Sequence, residues 1–162
     1  MKKAFAIVLA VWAAVCIMGC ATAEEIPTEP EGYRIQVCGA EIAMNAPAEP
    51  ALEALGTPKS HTEETSCAFD GLDKTYYYGS FYLTTYPAPD GDRVHSLWFA
   101  DDTLTTPEGI CIGSHREAVA RAYDTETAGE DGTLTFSRGD STLTIIFDGD
   151  TVSGIRYDAV VE

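Results

Sequence analysis

Apolar and polar residues alternate with period two in several stretches of the chain, a pattern that predicts β-strands with one buried and one exposed face. Gly, Asp and Pro separate these stretches, and Asp-Gly-Asp occurs twice, at 90–92 and 148–150. Asp-Gly between two strands is a strong hairpin signal, so antiparallel pairing is expected. The predicted strands are 33–37, 66–69, 75–78, 81–86, 93–99, 133–137, 141–147 and 152–157.

Two stretches show helical spacing instead. Their apolar stripes are Ala48, Ala51, Leu52 and Leu55 in the first, and Val119, Ala122 and Tyr123 in the second. Asn45 is a candidate N-cap of the first helix, and Ser114 with Glu117 forms a capping-box pattern before the second. A short helix is therefore expected ahead of each group of strands.

The two helix-plus-strand groups align with each other. Residues 42–55 match 110–123 at an offset of 68, and residues 90–99 match 148–157 at an offset of 58. We interpret the body as a diverged tandem repeat, with half-repeats at 33–102 and 103–162. The expected fold class is α+β, in which two helix-plus-antiparallel-meander repeats form one curved sheet with the helices on one face.

The N-terminal residues are typical of a bacterial export signal. Lys2 and Lys3 precede an apolar run at 4–18, which suits a signal peptide and is short for a membrane span. Ile-Met-Gly-Cys at 17–20 resembles a lipobox, which predicts a signal peptide at 1–19 and lipidation of Cys20. Cleavage within Ala-Thr-Ala at 21–23 is the alternative and would release a secreted protein.

Lipidation of Cys20 places the protein at the extracytoplasmic face of the bacterial cell membrane, where acyl chains hold it in the lipid bilayer. Residues 20–32 are rich in Glu, Pro and Thr and are expected to form an acidic, extended tether. The folded body is expected to be a monomer.

The net charge of the chain excludes two kinds of partner. The 162 residues include 10 Lys+Arg and 26 Asp+Glu, for a formal net charge of −16. Nucleic acid is excluded as a partner because phosphate binding needs clustered Lys and Arg. Electrostatic docking on an anionic membrane is excluded for the same reason.

The order of the predicted elements resembles that of known protein families. Tandem helix-then-meander halves behind a lipobox resemble β-lactamase inhibitory protein and the small lipoprotein of the outer-membrane β-barrel assembly machine. Segments 66–74, 84–87 and 106–113 look like those of uncharacterised cell-surface lipoproteins from gut Clostridia, over most of 40–157. The first resemblance implies a protein-binding concave sheet. The inhibitory protein has a disulfide in each half, however, whereas the second half here has only Cys111.

No residue pattern typical of catalysis or of a cofactor is found. Cys38, Cys67 and Cys111 remain if Cys20 is lipidated, and Cys38 with Cys67 is a candidate disulfide, with Cys38–Cys111 as the alternative. Ligand spacing for zinc is absent, and the Asp-Gly-Asp sites are interpreted as turns rather than calcium loops. We therefore expect no metal, no cofactor and no enzymatic activity.

The aromatic residues are the main candidates for a binding site. Alternation separates Tyr82 and Tyr86 from Phe81, and Trp98 from Phe99. Trp98, Tyr82 and Tyr86 are therefore predicted to form a partner-binding patch on the sheet. The expected function is a lipid-anchored binding or assembly module that recognises a protein. The alternatives are a small-ligand or divalent-cation binding protein that uses acidic loops, and a thiol-dependent enzyme.

Overall fold

Nine strands and two short helices make up the described part of the chain. The computed structural model describes residues 32–125 and 132–161. The signal peptide, Cys20 and the tether up to residue 31 lie outside the described residues. In chain order the elements are β1 Arg34–Val37, β2 Ala40–Ala43, α1 Ala48–Leu55, β3 Ser60–Thr65, β4 Leu72–Tyr77, β5 Phe81–Ala88, β6 Gly91–Phe99, α2 Arg116–Ala122, β7 Thr133–Arg138, β8 Ser141–Asp148 and β9 Thr151–Ala159.

The main sheet is antiparallel and has the strand order β3-β4-β5-β6-β9-β8-β7. Consecutive strands are joined by hairpins, except at the centre of the sheet, where β6 pairs with β9. The β5–β6 and β8–β9 hairpins turn at the two Asp-Gly-Asp sites. Strands β1 and β2 form a separate two-stranded sheet.

Equivalent contacts recur on the two sides of the β6–β9 pair. Pro47, before α1, bridges to Arg93 of β6, and His115, before α2, bridges to Thr151 of β9. The sequence offsets of 68 and 58 relate these two bridges. The boundary predicted at residue 102 falls between β6 and α2 and stays a prediction.

One hydrophobic core lies on the inner face of the main sheet. Leu83, Leu97, Leu143, Ile155 and Tyr157 from the four central strands are fully buried. The two-stranded sheet contributes further apolar residues to the same cluster, namely Ile35, Val37 and Ile42. Sheet against sheet therefore accounts for much of the core.

The expected α+β class, with helices forming a layer on one face, is wrong. The chain is mostly β, because α1 has 8 residues and α2 has 7. Such short helices offer little apolar surface, and only Ala48, Ala51 and Val119 of them are buried. The core is instead covered largely by strands and loops.

Local details also differ from the expectations. Residues 66–69 are a loop rather than a strand, and β2 and β3 were not predicted. Neither predicted N-cap forms, since α1 begins after Pro47 and α2 after His115 without a side-chain cap. The Ser114 hydroxyl instead accepts a hydrogen bond from the Cys111 N–H at 3.0 Å.

Candidate binding surface

The outer face of the main sheet has two continuous rows of side chains, each crossing all seven strands in register. One row, called here the aromatic row, consists of Ser60, Tyr77, Tyr82, Trp98, Arg156, Thr144 and Thr135. The other, the hydroxyl row, consists of Thr62, Thr75, Thr84, Ser96, Asp158, Thr142 and Ser137. None of these side chains is buried. Together the two rows define the outer face.

Three aromatic side chains lie next to one another in the aromatic row. The rings of Tyr77 and Tyr82 stack with centroids 4.6 Å apart and an interplanar angle of 25°. Tyr82 is the register partner of Trp98 on the next strand. Trp98 is 48% exposed and Tyr82 is 38% exposed, which makes them two of the most exposed large apolar side chains described. Tyr82 and Trp98 are thus exposed side by side, and their role in binding a partner stays a prediction.

An open groove of about 710 Å³ runs beside these rings. Besides members of both rows, it is lined by Phe99, Ala100, Ile112 and Ser153. Ile112 lies in the loop before α2, and Ser153 is the extra residue of a β-bulge in β9. The groove therefore joins the aromatic row to the loop that begins the second half of the chain.

The polar groups of the outer face are held in place by one another. Arg156 Nε donates to Asp158 Oδ2 at 2.7 Å, so the cation and the anion of the two rows neutralise each other. The hydroxyls of Thr84 and Ser96 are 2.7 Å apart and hydrogen bond across β5 and β6. Mutual bonding fixes these groups before any partner arrives, which lowers the entropic cost of binding.

Tyr86 does not belong to this surface, because it is only 5% exposed. Its ring packs against Phe69, with centroids 5.0 Å apart, and its hydroxyl donates to the Asn45 side chain. Burial raises the pKa of Tyr86. The β-bulge beside Thr84 and Thr85 has its extra residue, His95, in β6, so alternation along β5 is unbroken. Tyr86 is buried because Phe69 of the loop before β4 covers its ring.

Tyr77 and Ile112 belong to the surface but were not singled out from the sequence. Tyr77 is the middle of three consecutive tyrosines, and alternation along β4 was the available signal for its outward position. No local pattern places Ile112 beside Trp98, because the two residues meet only through the packing of a loop against the sheet.

The cysteines of the described chain are free thiols. Cys38 and Cys67 are exposed, and Cys111 is partly buried. Cys38 lies in the tight turn between β1 and β2 with a positive φ of 51°, and Cys67 lies in the loop before β4. The candidate pair Cys38–Cys67 is therefore not joined in this structure.

Acidic side chains at the hairpin turns pair with nearby cations. Asp90 Oδ2 is 2.6 Å from Arg93 Nη2, and this guanidinium holds the pKa of Asp90 below its usual range. Asp92 Oδ2 is 2.7 Å from Lys74 Nζ, and the carboxylate raises the pKa of Lys74. Within 32–125 and 132–161, no three His, Cys, Asp or Glu side chains come together as a metal site would require.

Comparison of the chain with protein-family models, with curated proteins and with solved structures finds no match. Within the part of the chain that the structure describes, no helix has the length and apolar character needed to cross a bilayer.

Proposed function

We propose that the protein is a lipid-anchored, extracytoplasmic, non-enzymatic binding module that recognises its partner through the outer face of the main sheet. The observation that carries the proposal is the exposure of Tyr82 and Trp98 side by side in the aromatic row. Exposed adjacent aromatic rings cost solvation free energy in the free protein, and they are typical anchors of binding surfaces.

The surroundings of the rings support contact rather than chemistry. The carboxylate of the two rows, Asp158, is engaged by Arg156, and the remaining polar groups are mostly hydroxyls. A general base would need a titratable group free to reach a substrate proton. The outer face is therefore suited to holding a partner.

Anchoring at Cys20 would place this surface outside the cytoplasmic membrane, with residues 20–32 as a tether. The sequence predicts a protein partner, and a macromolecule of the cell exterior is the partner class that anchoring makes accessible. Release of the Cys20→Ser chain into the medium, with the wild-type chain remaining in the membrane fraction, is the expected result of a fractionation experiment. Equal partition of both chains would contradict the anchor.

Binding is tested with the mature chain from residue 20 carrying Cys20→Ser, incubated with cell envelopes isolated from the producing organism. The double variant Tyr82→Ala/Trp98→Ala is expected to lose binding by tenfold or more, since each aromatic anchor contributes about 1–2 kcal/mol. Leu72→Ala is the matched control, because Leu72 is 41% exposed and lies on the opposite face of β4.

Two results would overturn the proposal. One is equal retention of the wild-type and double-variant chains on envelopes. The other is a shared loss of binding in the double variant and Leu72→Ala, which would indicate general surface hydrophobicity. Urea unfolding of each variant verifies that the loss of binding is not a loss of folding.

A further inference from the structure

We infer that the occupant of the outer face is a neutral glycan, a chain of pyranose sugars that lies across Tyr77, Tyr82 and Trp98. This inference rests on the proposed function and names the chemistry of its partner. The juxtaposition that carries it is an exposed row of aromatic rings directly beside a row of hydroxyls, in which the one cation and the one anion of the two rows pair with each other.

The aromatic row has the dimensions of a short oligosaccharide. Neighbouring strands lie about 4.8 Å apart, so the three aromatic residues on β4, β5 and β6 span about 10 Å across the sheet. This span is comparable with the length of two linked pyranose rings. The C–H groups on one face of a pyranose are apolar and slightly positive, and they match the negative face of an aromatic ring, here that of Trp98. Tyr77 and Tyr82 each cover one face of the other, so they offer chiefly ring edges and hydroxyls to the sugar.

The polar groups beside the rings match the hydroxyls of a sugar. Thr75, Thr84 and Ser96 line the groove together with the aromatic side chains. Each hydroxyl can both donate and accept, as can the hydroxyls of a sugar. Arg156, the register partner of Trp98, adds a planar donor that Asp158 holds in position.

Charge selects a neutral ligand. The chain as a whole has a formal net charge of −16, whereas the two rows of the outer face contain one cation and one anion in contact. Anionic polymers are repelled by the protein as a whole. The further carboxylates of this face, Glu64 and Asp73, lie beyond Thr62 and Thr75 toward the loop between β3 and β4, away from the rings. A neutral ligand over the rings needs no counter-charge.

The apolar content of the face is small for a protein interface. Stable protein interfaces bury roughly 800 Å² on each side around a largely apolar core. Here the apolar lining of the groove consists of the three rings with Phe99, Ala100 and Ile112, and hydroxyls adjoin them on the same face. A surface of this extent, with rings and hydroxyls side by side, fits a short sugar chain better than a protein partner.

Trp98 provides a direct probe of this inference. The chain has two tryptophans, and the other, Trp12, lies in the predicted signal peptide. Emission of the mature Cys20→Ser chain therefore reports on Trp98 alone. Titration with cellopentaose, chitopentaose and mannopentaose is expected to shift that emission to the blue and to reduce its quenching by acrylamide for at least one of the three. Tyr82→Ala should weaken the fitted affinity about tenfold, and Leu72→Ala should leave it unchanged.

Calorimetric titration of Trp98→Ala and Trp98→Tyr separates stacking from folding, since tyrosine retains an aromatic face and should preserve part of the affinity. Absence of any spectral change with all three pentasaccharides at millimolar concentration would overturn the glycan assignment. Retention on envelopes that depends on Tyr82 and survives periodate oxidation of their sugars would also overturn it and indicate a protein partner. Both of these results leave the proposed binding function standing, whereas equal retention of the wild-type and double-variant chains removes it.

Discussion

Replacing Tyr157 by phenylalanine is expected to stabilise the folded protein, although Tyr157 is a fully buried core residue. Its side chain is 0% exposed, and its hydroxyl has no hydrogen-bond partner among the described residues. Burial of a hydroxyl without a partner costs about 1–3 kcal/mol, because the group loses its hydrogen bonds to water. Removing one oxygen leaves only a small void, which offsets part of this gain.

The net gain for Tyr157→Phe is about 1 kcal/mol, or roughly 4 °C in the thermal midpoint. Tyr123→Phe is the matched control, because the Tyr123 hydroxyl bonds the Thr106 hydroxyl at 2.9 Å and the Glu108 carboxylate at 2.8 Å. That variant should lose about 1–2 kcal/mol, since it removes both hydrogen bonds of a partly buried hydroxyl. Urea unfolding followed by far-ultraviolet circular dichroism measures both changes. A Tyr157→Phe chain that is as destabilised as Tyr123→Phe would refute the reasoning.

Three further outcomes are expected. Gly113→Ala should lower the free energy of unfolding by about 1–2 kcal/mol, because Gly113 has φ +87°, which alanine adopts only with strain, while the space around it is open. A melting midpoint equal to that of the wild-type chain would contradict this conformational cost. Above pH 10 the protein should lose stability, because burial raises the pKa of Tyr33, Tyr123 and Tyr157 above that of an exposed tyrosine, about 10. Their contribution is complete below about pH 10 and disappears as the pH rises through the folded-state pKa values, and a flat urea midpoint between pH 9 and 11 would argue against it. Trp98→Ala should change stability by less than about 1 kcal/mol, because the side chain is 48% exposed, and a larger loss in urea unfolding would show that Trp98 supports the fold.

Much of the sheet was predictable from local pattern. Alternation located the central strands, and Asp-Gly at 90–91 and 148–149 located two hairpins, because turn geometry and side-chain period are both local properties. The outward positions of Tyr82 and Trp98 followed from the same alternation. Alternation was not enough for Tyr86, whose burial depends on contact with Phe69 from a distant loop.

Other features of the fold have no signal in the local sequence. Strand β3 is exposed at every residue and has the sequence Ser-His-Thr-Glu-Glu-Thr, so no apolar alternation predicts it. Its hydrogen bonds to β4 create the strand, and such pairing is decided by the partner rather than by the sequence of β3. Asn45 is another case, since its φ of 63° and its contacts with Tyr86 and Asp140 replace the predicted helix cap.

The sequence by itself determined the period of the strands, the places where the chain turns, the two offsets that relate its halves, and the exposure of Tyr82 and Trp98. Only the tertiary structure decided that β6 pairs with β9 and that strands, more than helices, cover the core. The physical reason is the separation of the residues along the chain. Turns and alternation depend on residues that are neighbours in the sequence. The aromatic and hydroxyl rows arise only when residues from seven strands come into register.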